Sequence, residues 1–175
     1  MLFICLLILS GCMNSSTYND EDVAAIVRGE EISVGYLRFL YPDDVITEMV
    51  DEVVKAKLAE QEVKRMNIDI TSKLIEKEES YGKYPQDELY SAETQSIRAF
   101  ADPQAEKLGI DPREYYKKYT KVSAEMVAYI NAYTSEILGG LEDDEFGIEE
   151  YMQHADEELD DLVEQNKNEI EIRIK

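Results

Sequence analysis

Apolar and polar positions are laid along this chain in blocks whose spacing changes from one stretch to the next. Met1–Ser10 is an uncharged apolar run that gives way to polar residues at Met13-Asn14-Ser15-Ser16. Val23–Val27 is a second, shorter apolar run, rich in β-branched residues and closed by Arg28-Gly29-Glu30. It predicts a strand ending in a turn. Ser33 is placed to cap a brief helix that runs to about Tyr41 and stops at Pro42. Asp43 or Asp44 is then expected to cap a long helix from Val45 to Met66. Along it Ile46, Met49, Val50, Val53, Val54 and Leu58 keep helical spacing, and Glu60 pairs with Lys64 at i,i+4. Asn67, which tolerates a left-handed backbone, ends that helix.

Thr71 is expected to cap a following helix through about Ser80, and Tyr81-Gly82-Lys83-Tyr84-Pro85 to form a loop. A further helical stretch from Asp87 to Leu108 is expected to break at Asp102-Pro103, where Asp can cap and Pro can take the first helical position. Gly109 stops it. Asp111-Pro112-Arg113-Glu114 is a capping box with proline at its first helical position. Behind it Tyr115, Tyr119, Val122, Met126, Tyr129, Ile130, Tyr133 and Ile137 recur at helical steps until Gly139-Gly140. Ile148, Tyr151, Met152, Ala155, Leu159, Leu162 and Val163 mark a last helix.

The chain closes on Glu169-Ile170-Glu171-Ile172-Arg173-Ile174, an alternation that reads as a half-buried strand. A lone strand leaves its backbone groups unpaired, and Val23–Val27 is the only other strand candidate. The expected fold is therefore mainly α, a multi-helix domain whose N- and C-terminal strands pair as a two-stranded ribbon.

The chain has 175 residues, 33% of them charged and 44% hydrophobic, enough apolar content for the core of one domain. The formal net charge is −21 and the pI about 4.3. Nucleic acid is excluded as a partner on that ground, because phosphate contacts require a basic footprint. The same charge disfavours electrostatic docking on anionic lipid.

The N-terminal run is too short to span a bilayer, which takes about 20 apolar residues. A buried helix or the end of a truncated span are the other readings. The run ends in Leu9-Ser10-Gly11-Cys12, small residues followed by cysteine, and so resembles the lipobox of bacterial lipoproteins. No Lys or Arg precedes it, unlike the basic start of most signal peptides. The resemblance implies cleavage after Gly11, lipid attachment at Cys12, and a protein anchored outside the cytoplasm. It divides the chain into a signal peptide (1–11), a polar tether (12–22) and one domain (23–175). Two acyl chains suffice for stable anchoring, at about 0.8 kcal/mol per buried CH₂. Cys5 would be lost with the signal and Cys12 consumed by lipid, leaving no thiol for a disulfide, metal site or nucleophile.

Catalytic, metal and cofactor sites are not expected. The one histidine, His154, lies on an acidic helix beside Gln153, Asp156 and Glu157 and reads as a solvated surface residue, without the base and orienting group that nucleophilic chemistry needs. The runs Glu142-Asp143-Asp144-Glu145 and Glu157-Glu158-Leu159-Asp160-Asp161 lack the alternating oxygen ligands of a calcium loop. They read as solvated charge, with weak calcium association as the minority reading. Tyrosine is over-used, 12 residues against 4 Phe and no Trp. Tyr115, Tyr119, Tyr129 and Tyr133 share a helix face and are expected in the core. Tyr81, Tyr84 and Tyr90 flank a loop, where they can line an adaptable, semi-polar surface for polypeptide.

Val27-Arg28-Gly29-Glu30-Glu31-Ile32-Ser33 resembles the strand–turn–helix opening of the N-terminal chaperone domain of the SurA/PrsA family of extracytoplasmic folding factors. Lys57 to Thr71 resembles that family's helix ending in Gln-Glu-Ala and followed by Gly-Ile-x-Val-Thr, with Asn67 in place of the glycine. Leu108-Gly109-Ile110-Asp111 and the terminal alternating strand are similar to its later elements. The family inserts a prolyl-isomerase domain between its helices, for which this chain has no room, so isomerase activity is not implied. The resemblance implies a membrane-anchored holdase for unfolded or partly folded exported polypeptides, acting without catalysis or cofactor. The alternative is a scaffold lipoprotein with one specific envelope partner.

Overall fold

A computed structural model describes residues 18–85, 91–140 and 147–175. Its elements are strands β1 (Val23–Val27) and β2 (Glu30–Ser33), then helices α1 (Val34–Leu40), α2 (Ile46–Met66), α3 (Thr71–Ser80), α4 (Ala92–Leu108), α5 (Pro112–Leu138) and α6 (Ile148–Asn166). A 3₁₀ turn leads into strand β3 (Ile170–Ile172). The fold is mainly α, as the periodicity predicts.

The two ends of the domain pair. Ala25 faces Ile172 and Val27 faces Ile170 in an antiparallel ladder, which Arg28 N–H to Glu169 O and Arg173 N–H to Ala24 O, both 2.8 Å, extend at either end. The sheet has three strands, however, in the order β2-β1-β3. Glu30–Ser33, expected only as a turn and a helix cap, folds back on β1 as a hairpin strand. Its two glutamates hide it from an apolar-run reading, and what makes it a strand is the second edge of β1, which also has to be paired. Both turn residues have positive φ, Arg28 at 49° and Gly29 at 82°, as a two-residue hairpin loop requires.

The first ordered contacts precede Val23. Asp22 and Asp20 offer their carbonyls to Val34 N–H and Gly35 N–H at 2.8 and 2.9 Å, starting α1. The Tyr18 hydroxyl bonds the backbone of Lys175. The stretch read as tether to Asp22 therefore belongs to the domain from Tyr18 onward. Gly35 is needed for this approach, since a Cβ there would stand 3.0 Å from Asp20 O.

Most helix ends match their signals. Ser33 caps α1 through Tyr36 N–H. Asn67, at φ 56°, closes α2, and the Asp111 carboxylate accepts from Arg113 and Glu114 N–H at the start of α5. Three expectations fail. Neither Asp43 nor Asp44 caps α2, whose N-cap is Val45 with no side-chain bond. Asp43 instead binds Arg38 and Lys107. At α3 the carboxylate of Asp69, two residues ahead, takes the Thr71 N–H and hydroxyl. Finally, α4 runs unbroken through Pro103. Pro103 and Ala99, whose carbonyl loses a donor, are solvent-exposed, while Ala101, Gln104 and Ala105 are buried. Water can serve the solvent side while packing holds the other. The start expected at Asp87 lies outside the described residues.

The main core joins Ala25 and Val27 of β1, Leu37 and Leu40 of α1, Val50, Val54 and Leu58 of α2, Tyr133 of α5, Leu159 and Leu162 of α6, and Ile174. A second cluster of Ala101, Ala105, Tyr115 and Tyr116 ties α4 to α5. The two meet at the C-terminal end of α1. There Gln104 and Lys107 donate to Arg38 O, Lys107 also to Tyr41 O, and the Tyr115 hydroxyl to Phe39 O. Carbonyls that a seven-residue helix leaves without partners are thus satisfied by α4 and α5.

One charged knot fastens the hairpin turn to the helices. Arg28 binds Glu62 at 2.6 Å, Asn166 at 2.7 Å and Glu169 at 3.3 Å, and Glu62 also accepts from Arg65. Hydrogen bonds from Arg65 and then Arg28, outweighing burial, hold the Glu62 carboxyl below its usual range. A lowered pKa stabilises the folded state above the ordinary glutamate value of about 4.3, and that stability is lost as the pH falls through the folded value. Arg28→Leu should therefore cost about 1–3 kcal/mol at neutral pH, read from urea unfolding. The gap to the parent protein should narrow on acidification below about pH 4.3.

Candidate functional site: a groove beside the outer strand

A groove of about 490 Å³ opens beside the outer strand, a volume within the range of about 300–1,000 Å³ usual for ligand pockets. One wall is Glu31, Ile32 and Ser33 of β2, joined by Glu21 and Val23. The others are Val53, Ala56, Lys57 and Glu60 of α2 and Val122, Glu125, Met126 and Tyr129 of α5, with Tyr36 of α1. The α2 and α5 sets share one spacing, i, i+3, i+4 and i+7, so each is a single helix face. Ile32, Val53 and Ala56 are buried, while Val122, Met126 and Tyr129 stay half-exposed and Tyr36 is 37% exposed. The floor is thus apolar and unfinished, a helix face that no described element covers.

The rim is acidic. Lys57 binds Glu30 at 2.8 Å and Glu60 at 3.1 Å; burial pulls its ammonium down, but those two carboxylates together raise it above the usual lysine range. Glu30 is held low by its hydrogen bonds to Lys57 and then Gln61. Glu60 also pairs with Lys64, whose ammonium stands 5.5 Å from the centre of the Tyr129 ring. These two lysines and two glutamates neutralise one another. Glu21, Glu31 and Glu125 are exposed, with no salt-bridge partner among the described residues. Burial, with Glu60 adding to it, pushes the Tyr36 phenol up. Among the described residues no His or Cys lines the groove, and Ser33 Oγ accepts from the Tyr36 N–H. The lining offers apolar contact, hydrogen bonding and negative charge.

Val53 is buried in the core, whereas Val122, Met126 and Tyr129, apolar positions of the same periodicity and the last of them expected in the core, are left half-exposed at its edge. The groove itself was missed, because β2 supplies one wall. The loop tyrosines are not a free surface. Tyr81 packs edge-on to Tyr119, and Tyr84 lies against Tyr116 and bonds Asp102. With Phe39, Phe100 and Tyr115 they form one aromatic cluster. Of the helix-face tyrosines, Tyr115 and Tyr133 are buried, whereas Tyr119 and Tyr129 are half-exposed. Tyr90, Cys12 and the run Glu142–Glu145 lie outside the described residues. In the second acidic run Leu159 is buried in the core, and the cation at Asp160 and Asp156 is Lys55, at 2.7 and 3.1 Å. His154 is half-buried on α6.

Among the described residues no three His, Cys, Asp or Glu side chains gather as a metal site, and no helix is long and apolar enough to cross a membrane. No protein-family model, curated protein or solved structure matches the chain. The class that can be stated is a mainly helical domain closed by a three-stranded antiparallel sheet.

The aromatic cluster has a measurable signature. Burial pushes Tyr115 of that cluster, and Tyr41 beside the main core, up to about 12. A raised phenol stabilises the folded state fully below the free value of about 10, and the contribution is lost as the pH rises through the folded one. Alkaline titration followed by phenolate absorbance should show these tyrosines ionising near 12, together with loss of helical circular dichroism.

Proposed function

We propose that this chain is a membrane-anchored, extracytoplasmic holdase-like lipoprotein that binds unfolded or partly folded exported polypeptides without chemistry. The observation that carries the reading is the groove, where beside an open strand edge the half-covered face of α5 and Tyr36 leave apolar side chains open beneath a charged rim. Such a site takes up apolar segments of a non-native chain while the rim keeps the free protein soluble. A net charge of −21 adds to that solubility.

Anchoring through Cys12 supports the placement. Five residues, Met13–Thr17, separate Cys12 from Tyr18, the first of the described residues. Even fully extended, five residues span at most about 18 Å. Tyr18 touches Lys175, and Glu21, three residues on, already lines the groove. The reading thus holds the groove near the bilayer surface. Replacing Cys12→Ser should abolish palmitate incorporation and move the protein from the membrane to the soluble extracytoplasmic fraction. Palmitate labelling that survives the substitution would remove the anchor from this reading.

The binding half is tested by aggregation of a thermally unfolding model protein. The parent chain should suppress light scattering at a few-fold molar excess. Tyr36→Ser combined with Met126→Gln should lose most of the suppression while keeping the helical spectrum, at a stability cost of about 1–2 kcal/mol. Equal suppression by the folded double variant would dismiss the groove as the binding site.

A further inference from the structure

The groove's charge and its open strand edge together specify what it accepts. Resting on the reading above, we propose that the preferred occupant is an extended polypeptide segment with an apolar centre and flanking Lys or Arg, laid along the outer edge of β2. The central strand β1 is paired on both sides, and β2 ends the sheet on the groove side. Among the described residues no strand pairs with its outer edge, and three consecutive residues there, Glu31, Ile32 and Ser33, border the groove. An incoming extended chain finds backbone groups ready to continue the ladder, and its alternate side chains meet the apolar faces of α2 and α5. Strand edges of this kind are normally protected by charge, and Glu31 supplies it here, Glu30 being engaged by Lys57. Glu31 disfavours acidic strands and a second copy of this acidic chain, and it admits basic ones.

Charge complementarity fixes the flanks. Lys57 and Lys64 are already taken up by Glu30 and Glu60. Glu21 and Glu31 at the strand wall and Glu125 on α5 have no such counter-ion among the described residues. A segment carrying Lys or Arg on either side of an apolar centre meets these carboxylates as its side chains enter. One carrying Asp or Glu meets like charge, and the cation of the groove lining, Lys57, is already engaged by Glu30 and Glu60.

The test uses the full-length protein and fluorescein-labelled peptides that share an alternating Val/Phe centre and differ in their flanks, which are Lys, Ser or Glu. Polarisation titrations should rank them Lys tightest and Glu weakest, with at least about a threefold step between Lys and Ser. The step should shrink as salt rises above about 0.1 M. Glu31→Lys with Glu125→Lys, both exposed positions, should reverse the order of the Lys- and Glu-flanked peptides. Methylating alternate backbone nitrogens of the Lys-flanked peptide should weaken it about tenfold, one lost hydrogen bond or two. Equal binding of all three flanks would overturn the charge selection while leaving the groove a polypeptide site. Undiminished binding of the methylated peptide would overturn the strand addition. Binding of none of them would overturn the site itself.

Discussion

Everything in this domain is arranged around the requirement that β1 be paired on both edges. Ala24, Ala25 and Val27 are fully buried, so none of the backbone groups beside them can rely on water. The hairpin meets one edge locally. The other is met only by the last residues of the chain, after all six helices have been laid down. Closing so long a loop is entropically costly, though the cost grows only slowly with length. It is offset by the burial of Ile174 and by the Arg28 knot, which gathers the turn, α2, the end of α6 and the residue before β3 into one set of charged hydrogen bonds. Arg28 adopts a positive φ that only glycine takes without strain; the side chain's partners hold it there.

The charge distribution follows a division of labour. Basic residues are few, 18 against 39 acidic, and many of them tie elements together. Arg28 joins the sheet to α2 and α6, Arg38 and Lys107 join α1 to α4, Lys55 joins α2 to α6, and Lys57 joins α2 to β2. Spending the cations internally leaves the excess carboxylates to the surface. At the groove the rim keeps carboxylates, Glu21, Glu31 and Glu125, that no salt bridge among the described residues engages.

How far the fold was legible depends on whether its signals are local. The capping aspartate and proline of α5, the Asn67 and Gly109 stops and the alternation at the C-terminus act within a few residues, and the structure carries each of them. Except at Thr71, where the neighbouring Asp69 takes the cap, the failures share one cause. Asp43 has the chemistry of a cap, but Arg38 and Lys107 outbid the α2 backbone for it. Pro103 has the chemistry of a break, but the buried face of α4 against α5 and a solvated far side let the helix pass through. Glu30–Ser33 carries no apolar signature and becomes a strand because β1 lies beside it. The groove was illegible for the same reason, as periodicity marks a helix face as apolar without saying whether anything covers it.

By itself the sequence determined the helices, most of their ends and the meeting of the two terminal strands, because each is written in neighbouring residues or in one repeat. Only the tertiary structure decided that the sheet has a third strand, that Tyr18–Asp22 belongs to the domain, and that Val122, Met126 and Tyr129 face an open groove. Those outcomes depend on what stands opposite each residue. Spacing along the chain sets the direction of a side chain; only packing decides whether it meets protein or water.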